Sequence, residues 1–211
     1  VSTMLNFEVA HVGINTESEA AADADAATLE KAFGFAPDKR SKSVFAGTQI
    51  EIMKNAMQTP ECANFVGLYM EAPYLNPKFG ADRENNPWKG PIRKEEYQCV
   101  IDQVGTDARV WVVAPERENI EQFVQDCRKA NPTVRFSVGH SEASPQQIEA
   151  LIPYGLCIGT HHTNATGDRI FYPEVRGVCV DETVNYNREI YAEMICDSRG
   201  IHVDPYMQRL I

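Results

Sequence analysis

Two short apolar runs in the middle of the chain each end abruptly at a histidine. Phe-Ser-Val-Gly precedes His140, and Leu-Cys-Ile-Gly-Thr precedes His161. Apolar runs of this length are typical of buried strands in a parallel sheet. Between the runs, Ile148, Leu151 and Ile152 recur at helical spacing behind a Ser-Pro pair that indicates a helix start. The pattern predicts a strand-helix-strand unit with a histidine at the carboxyl end of each strand.

The same alternation of strands and helices extends from residue 65 to the end of the chain. Strands are predicted over residues 65–70, 109–114, 178–180 and 190–196, and helices over 95–104 and 118–130. This order predicts an α/β fold with a parallel sheet, and functional groups at several strand ends favour a barrel over an open sheet. The polar stretch 74–91 is predicted to be a loop over that edge.

The first sixty residues follow a different order. A strand over 7–14, a helix over 17–33 and two short strands over 43–46 and 50–53 give β-α-β-β. The motifs HVGIN, LEKAFGF and SVFAGTQIEIMK resemble the first half of the glyoxalase-like (vicinal oxygen chelate) module of bacterial keto-deoxy-phosphogluconate aldolases. The resemblance implies two domains, a glyoxalase-like segment over 1–58 and a second domain that follows it over 59–211.

Charge and cysteine usage narrow the class of protein. The formal net charge is -10, which argues against a nucleic-acid-binding groove lined with Lys and Arg. No apolar run approaches membrane-spanning length, so no membrane partner is expected. The six cysteines form no CxxC pair, and we expect them to be reduced, as in a cytoplasmic protein.

A carboxylate joins the two histidines as a candidate metal ligand. Glu71 stands where the strand predicted over 65–70 meets an Ala-Pro loop. Two imidazoles and one carboxylate make a sound ligand set for a divalent ion, with a position left for water. Such an ion lowers the pKa of water and polarises a carbonyl group. Zn²⁺ is expected first, with Fe²⁺, Co²⁺ and Mn²⁺ as alternatives.

The histidine doublet leaves one choice open. Adjacent residues on a strand point to opposite faces, so only one of His161 and His162 should bind the ion.

Five motifs in the second part of the chain carry a further resemblance. GLYMEAPYLNPKFGA, VWVVAPE, FSVGHSEASPQQIEAL, GTHHTNA and GIHVDP, in that order, resemble N-acetylglucosamine-6-phosphate deacetylases of the amidohydrolase superfamily over residues 64–211. The resemblance implies a partial (β/α)8 (TIM-type) barrel and a metal-dependent deacetylation of an N-acetyl amino-sugar phosphate by activated water. It assigns Glu71, His140 and His161 as the metal ligands.

The resemblance also assigns substrate contacts. Asn164 and Ala165 contact the sugar phosphate, largely through backbone amides. His202 is the catalytic and substrate-binding histidine that hydrogen-bonds near the acetyl carbonyl. Arg176, or Arg169 in its place, holds the phosphate. The expected partner is a small amino-sugar phosphate, bound by the chain alone or by a homo-oligomer.

Several features depart from the family pattern. Glu-Ala-Pro replaces Glu-Gly-Pro, the loop histidine expected soon after Ala81 is absent, and the first-strand His-x-His pair is missing. The resemblance puts the catalytic aspartate beyond Ile211, and the chain starts without Met, so a middle section with poor turnover is expected. Two alternatives remain: a glyoxalase-like binding or accessory module, and an inactive fusion fragment.

Overall fold

A computed structural model describes Ala24, Ala27, Lys31 and residues 46–80, 86, 88–167, 170–172, 175–195 and 200–211. The chain divides into two compact units, Val1–Phe65 and Val66–Ile211. Within the described residues, no helix is long and apolar enough to cross a membrane. The described cysteines are free thiols, as predicted: Cys62, Cys99, Cys127, Cys157 and Cys179.

The first unit is helical where the sequence pattern predicts a second hairpin strand. Helix α1, Ala46–Ala56, covers residues 50–53, so the strand predicted there is wrong. Gln, Glu, Met, Lys and Ala, which favour helices, dominate this segment and outweigh its β-branched residues. A 3-10 turn follows at Pro60–Cys62. The predicted helix over 17–33 contains three described helical residues: Ala24, Ala27 and Lys31.

Helix α1 therefore departs from the β-α-β-β order that the glyoxalase-like resemblance implies. The strand predicted over 7–14 and residues 43–45 lie outside the described part of the chain.

The second unit is built on a five-stranded parallel sheet in the order β1-β2-β3-β4-β7. The strands, in chain order, are β1 (Leu68–Met70), β2 (Ala108–Val113), β3 (Arg135–Val138), β4 (Leu156–Gly159), β5 (Ile170–Tyr172), β6 (Val175–Arg176) and β7 (Tyr191–Ala192). Strands β5 and β6 form a separate antiparallel pair. The parallel α/β sheet is confirmed and is consistent with part of a (β/α)8 barrel.

Helices and 3-10 turns connect the strands of this unit. The helices are α2 (Lys94–Val104), α3 (Ile120–Ala130), α4 (Pro145–Glu149) and α5 (Val180–Tyr186), and the 3-10 turns are Gly105–Asp107, Ile152–Tyr154 and Met207–Arg209. Helix α4 begins with a capping box, in which the Ser144 hydroxyl accepts from the Gln147 backbone N–H and the Gln147 side chain accepts from the Ser144 backbone N–H.

The strand predicted over residues 178–180 is wrong, because helix α5 begins at Val180. The Glu182 carboxylate accepts a hydrogen bond from the Cys179 backbone N–H at 3.1 Å. This bond gives the backbone N–H of the N-cap residue an acceptor. The negative charges of Asp181 and Glu182 also stabilise the positive amino-terminal end of the helix dipole.

An aromatic cluster forms the centre of the core beside the sheet. The Phe123 ring lies edge-to-face 5.1 Å from those of Tyr74 and Tyr97 and 5.3 Å from that of Trp111. All four side chains are buried. Because Tyr74 follows β1 closely, the cluster anchors the start of the long loop at the carboxyl edge of the sheet.

Candidate metal centre

Three side chains converge at the carboxyl edge of the parallel sheet. Glu71 directly follows β1, and His140 and His161 each lie two residues past the end of β3 and β4. Glu71 Oε1 lies 2.7 Å from His140 Nε2 and 3.1 Å from His161 Nε2. The two Nε2 atoms are 3.0 Å apart. The predicted convergence of one carboxylate and two imidazoles is therefore present.

These distances fit a single divalent ion. Ligands about 2.1 Å from a tetrahedral ion lie roughly 3.4 Å from one another, and the three atoms here are separated by 2.7–3.1 Å. Small outward movements are enough to admit an ion. The side chain of Glu71 is 47% exposed, while the side chains of His140 and His161 are 12% and 13% exposed. The centre is thus open to solvent on the side of the carboxylate.

Charge at the centre favours a cation. Hydrogen bonds to His140 and then to His161 lower the pKa of Glu71 to about 2, against its burial, which acts in the other direction. Burial lowers the pKa of His161, but the hydrogen bond and charge of Glu71 outweigh it, and the net pKa is raised. Glu71 is therefore ionised at neutral pH and supplies a negative charge.

The second ring nitrogen of His161 is also engaged. Nδ1 lies 3.1 Å from the backbone oxygen of Asn164, which accepts a hydrogen bond from the Nδ1–H tautomer. In the neutral ring this tautomer leaves a lone pair on Nε2 for a metal ion. In the metal-free chain the hydrogen bond from Nε2 to Glu71 requires the protonated ring, which the raised pKa of His161 favours. A ligand histidine that donates its other N–H to a backbone carbonyl is the usual arrangement at metal sites.

Glu116 organises the loop that carries His140. Its carboxylate accepts hydrogen bonds from Ser141 Oγ at 2.7 Å, Glu142 N at 2.8 Å and Asn76 Nδ2 at 2.8 Å. The Asn76 backbone N–H in turn donates to the carbonyl of His140 at 2.9 Å. These bonds support His140 in a left-handed conformation, with φ of 46°.

Sequence reasoning did not select Glu116 as a functional residue. The signal that could have found it is the one that identified Glu71, since each carboxylate stands beside an Ala-Pro pair after a buried strand.

Only one ring of the histidine doublet joins the centre, although both residues lie in the turn after β4, where His161 has a φ of 34°. His162 is buried, and its Nε2 lies 3.0 Å from Asn185 Oδ1 on α5. Its Nδ1 lies 3.9 Å from the Asp181 carboxylate. His162 therefore packs against α5, and only His161 joins Glu71 and His140.

The residues predicted to bind substrate lie in two neighbouring segments. Asn164 and Ala165 belong to the turn after β4, where Ala165 has a φ of 53°. The Asn164 side-chain amide donates to the carbonyl of His202 at 3.1 Å and so joins this turn to the segment near the carboxyl terminus. Arg176 lies in β6, but its side chain and the whole of Arg169 are outside the described structure.

No family model matches the chain. Its structure is similar to that of N-acetyl-D-glucosamine-6-phosphate deacetylase from Mycobacterium smegmatis, a mutant in complex with N-acetyl-D-glucosamine-6-phosphate, with a TM-score of 0.62 and 25% identity over 78% of this chain and 40% of that one. The structure of N-acetylglucosamine-6-phosphate deacetylase from Pasteurella multocida is also similar, with a TM-score of 0.60 and 26% identity over 77% of this chain and 40% of that one. The deacetylase from Thermotoga maritima shares the fold, with a TM-score of 0.61 and 22% identity over 80% of this chain and 43% of that one.

The chain is therefore similar to a part of N-acetylglucosamine-6-phosphate deacetylases and spans about two fifths of their length.

Proposed function

We propose that this chain carries the metal centre of a metal-dependent hydrolase that removes the acetyl group of N-acetylglucosamine 6-phosphate or a related N-acetyl amino-sugar phosphate. The observation that carries the proposal is the convergence of Glu71, His140 and His161 within 3.1 Å at strand ends. The likeness to the deacetylases, one of them in complex with this sugar phosphate, supports the choice of substrate.

Glu71, His140 and His161 would hold the ion. A mixed nitrogen and oxygen ligand set suits Zn²⁺ first, and Fe²⁺, Co²⁺ and Mn²⁺ also accept it. When bound, the ion supplies a Lewis acid that polarises the amide carbonyl and acidifies water. Glu71 offsets part of the positive charge, and the Asn164 carbonyl fixes the tautomer in which His161 can bind the ion.

The turn after β4 would bind the sugar phosphate. Thr163 and Ala165 have φ values of 67° and 53°. Backbone N–H groups in such a turn can bind an anion, although that of Asn164 already donates to the His161 carbonyl at 2.8 Å. Within this proposal, Ala165 contacts the phosphate through its backbone amide and Asn164 through its side-chain amide, and Arg176 or Arg169 supplies its counter-charge.

His202 would contact the other end of the substrate, near the acetyl carbonyl. The hydrogen bond between the Asn164 side chain and the His202 carbonyl supports this role, because it holds the 200–203 segment beside the turn. We also propose that the chain divides into a glyoxalase-like segment over residues 1–58 and a second domain over residues 59–211.

Metal analysis of the purified chain tests the proposal first. We expect one divalent ion per chain after equilibration with Zn²⁺, and loss of that ion in His140→Ala. Glu118→Gln, which changes an exposed carboxylate in the turn before α3, is the matched control and should keep the ion. Retention of the ion in Glu71→Gln, His140→Ala and His161→Ala alike would refute the metal centre.

Acetate release tests the substrate class. The assay compares the rate of acetate release from N-acetylglucosamine 6-phosphate with that from N-acetylglucosamine, which lacks the phosphate. It uses the protein at the length at which it occurs naturally. Release from the phosphorylated sugar alone, lost in His140→Ala, is the expected result. Equal release from both sugars would remove the phosphate site from the proposal.

A further inference from the structure

A cluster of hydroxyl groups lies on the same strands as the candidate metal ligands. Tyr69 on β1 donates a hydrogen bond to Glu193 Oε2 at 2.6 Å, and its oxygen lies 2.7 Å from Thr160 Oγ1. Thr160 follows β4, and Glu193 follows β7. The Thr160 hydroxyl also hydrogen-bonds with that of Ser137 on β3. One cluster thus joins β1, β3, β4 and the residue after β7.

These contacts cross the sheet instead of running between neighbouring strands. Strands in a flat sheet are about 4.8 Å apart, so β1 and β4 would be separated by roughly 14 Å, and β1 and β7 by roughly 19 Å. One phenol reaches both Thr160 and Glu193 because the sheet is curved. Its hydrogen bonds in turn oppose any flattening that would separate β1 from β4.

The cluster lies close to the ligands along both strands. Tyr69 lies on β1 and precedes Glu71, which directly follows the strand, by two residues. Thr160 is buried and immediately precedes His161. Glu193 is bound to the same region through its backbone, since its N–H donates to the Gly159 carbonyl at 2.9 Å and its carbonyl accepts from His162 N at 2.6 Å.

The direction of the hydrogen bonds makes Tyr69 central to the cluster. A phenol has one proton, which goes to the Glu193 carboxylate, so its oxygen accepts from Thr160. A hydrogen bond to a carboxylate is roughly twice as strong as one between neutral groups. Loss of the phenol oxygen therefore breaks both links from β1 at once.

We propose that Tyr69, held by Glu193, is a positioning residue that keeps β1 and β4 at the separation at which Glu71 and His161 share one ion. This inference rests on the proposed metal centre. Tyr69 does not touch the ion in this scheme. It acts through the strand positions of the two ligands.

The test measures Co²⁺ affinity and the visible absorption of the Co²⁺ form, which reports the coordination geometry. Tyr69→Phe should weaken binding by about 10-fold to 100-fold, the range typical of residues that support metal ligands, and should alter the spectrum. Glu193→Ala should do the same, whereas Glu193→Gln, which keeps an acceptor for the phenol, should restore most of the affinity.

The matched control removes an equivalent bond elsewhere in the same unit. Tyr97 donates to Asp126 Oδ2 at 2.6 Å, on helices α2 and α3. Tyr97→Phe should leave the Co²⁺ affinity and the spectrum unchanged even where it lowers the melting temperature. The comparison distinguishes a displacement of the metal ligands from a general loss of stability.

The outcomes distinguish this inference from the proposed function. Absence of Co²⁺ binding in the parent chain would overturn the proposed function. Parent binding that is lost in His161→Ala but unchanged in Tyr69→Phe and Glu193→Ala would overturn the positioning role alone. Should Tyr69→Phe fail to fold, the pair Glu193→Ala and Glu193→Gln decides the question.

Discussion

Glu71 Oε1 lies 3.1 Å from His161 Nε2, although the two residues are 90 positions apart in the chain. Their strands, β1 and β4, are separated in the sheet by β2 and β3. In a flat sheet such strands would lie roughly 14 Å apart. The local sequence supplies the ligands of the candidate centre, but the curvature of the sheet brings them together.

Removal of the negative charge at this contact should abolish tight metal binding. Glu71→Gln keeps the size of the side chain but takes away the charged ligand. We expect the Zn²⁺ dissociation constant to rise by at least about 100-fold, the upper end of what loss of a supporting residue costs. Competition with a chromophoric chelator measures it, with Glu118→Gln as the control. An unchanged constant in Glu71→Gln would exclude Glu71 as a ligand.

The ligands themselves could be predicted from local sequence. Each of Glu71, His140 and His161 follows a short apolar run, and parallel strands bring their carboxyl ends to one edge. Local sequence also predicts that only one of His161 and His162 joins the centre, although both residues lie in the turn after β4 and not on the strand itself. Neither inference requires knowledge of distant contacts.

Other features depend on interactions that no local pattern contains. The apolar residues 178–180 predict a strand, yet the carboxylate of Glu182 caps a helix there. The hydrogen bond between Tyr69 and Glu193 joins residues 124 positions apart and follows from the curvature of the whole sheet. In α1, two short apolar runs on either side of Gly47 and Thr48 suggest a hairpin, whereas the summed helix propensity of the segment decides the outcome.

The two adjacent histidines should have separable effects. His161→Ala should remove metal binding with little loss of stability. His162→Ala removes a buried ring that is hydrogen-bonded to Asn185 and should lower the free energy of unfolding by about 1–3 kcal/mol. Zn²⁺ titration and urea unfolding of both variants measure this contrast. Equal loss of metal binding in folded His162→Ala would contradict the assignment of His161 alone.

The stability of the metal-free chain should depend on pH through the contacts of Glu71 with His140 and His161. The folded-state pKa of Glu71 is lowered from 4.5 to about 2, so its stabilising contribution is present above pH 4.5 and is lost as the pH falls toward 2. The folded-state pKa of His161 is raised above 6.5, so its contribution is present below pH 6.5 and is lost as the pH rises through the raised value.

The difference in melting temperature between the parent and Glu71→Gln isolates this contribution. In chelator-treated protein the difference should be largest between about pH 4.5 and 6.5 and should shrink on both sides. Other titrating groups affect the two proteins alike. A difference that is constant from pH 3 to pH 9 would show that the contact does not form in the metal-free chain.

Close packing of α5 against β4 should matter for the strand that carries His161. A Cβ atom added at Gly159 would lie 2.9 Å from Val184 Cγ2 and 3.0 Å from Cγ1, closer than packed side chains allow. Gly159→Ala should therefore destabilise the fold by about 1–3 kcal/mol, as overpacking does. Gly90→Ala is the control, since nothing lies within 4 Å of a Cβ at that position.

A double-mutant cycle identifies the cause of that loss. Val184→Ala removes both methyl groups that the new Cβ meets, so Gly159→Ala should cost much less in the Val184→Ala background than in the parent. Urea unfolding of the four proteins measures the coupling. If the two losses add without coupling, the destabilisation arises from β4 itself and not from its contact with α5.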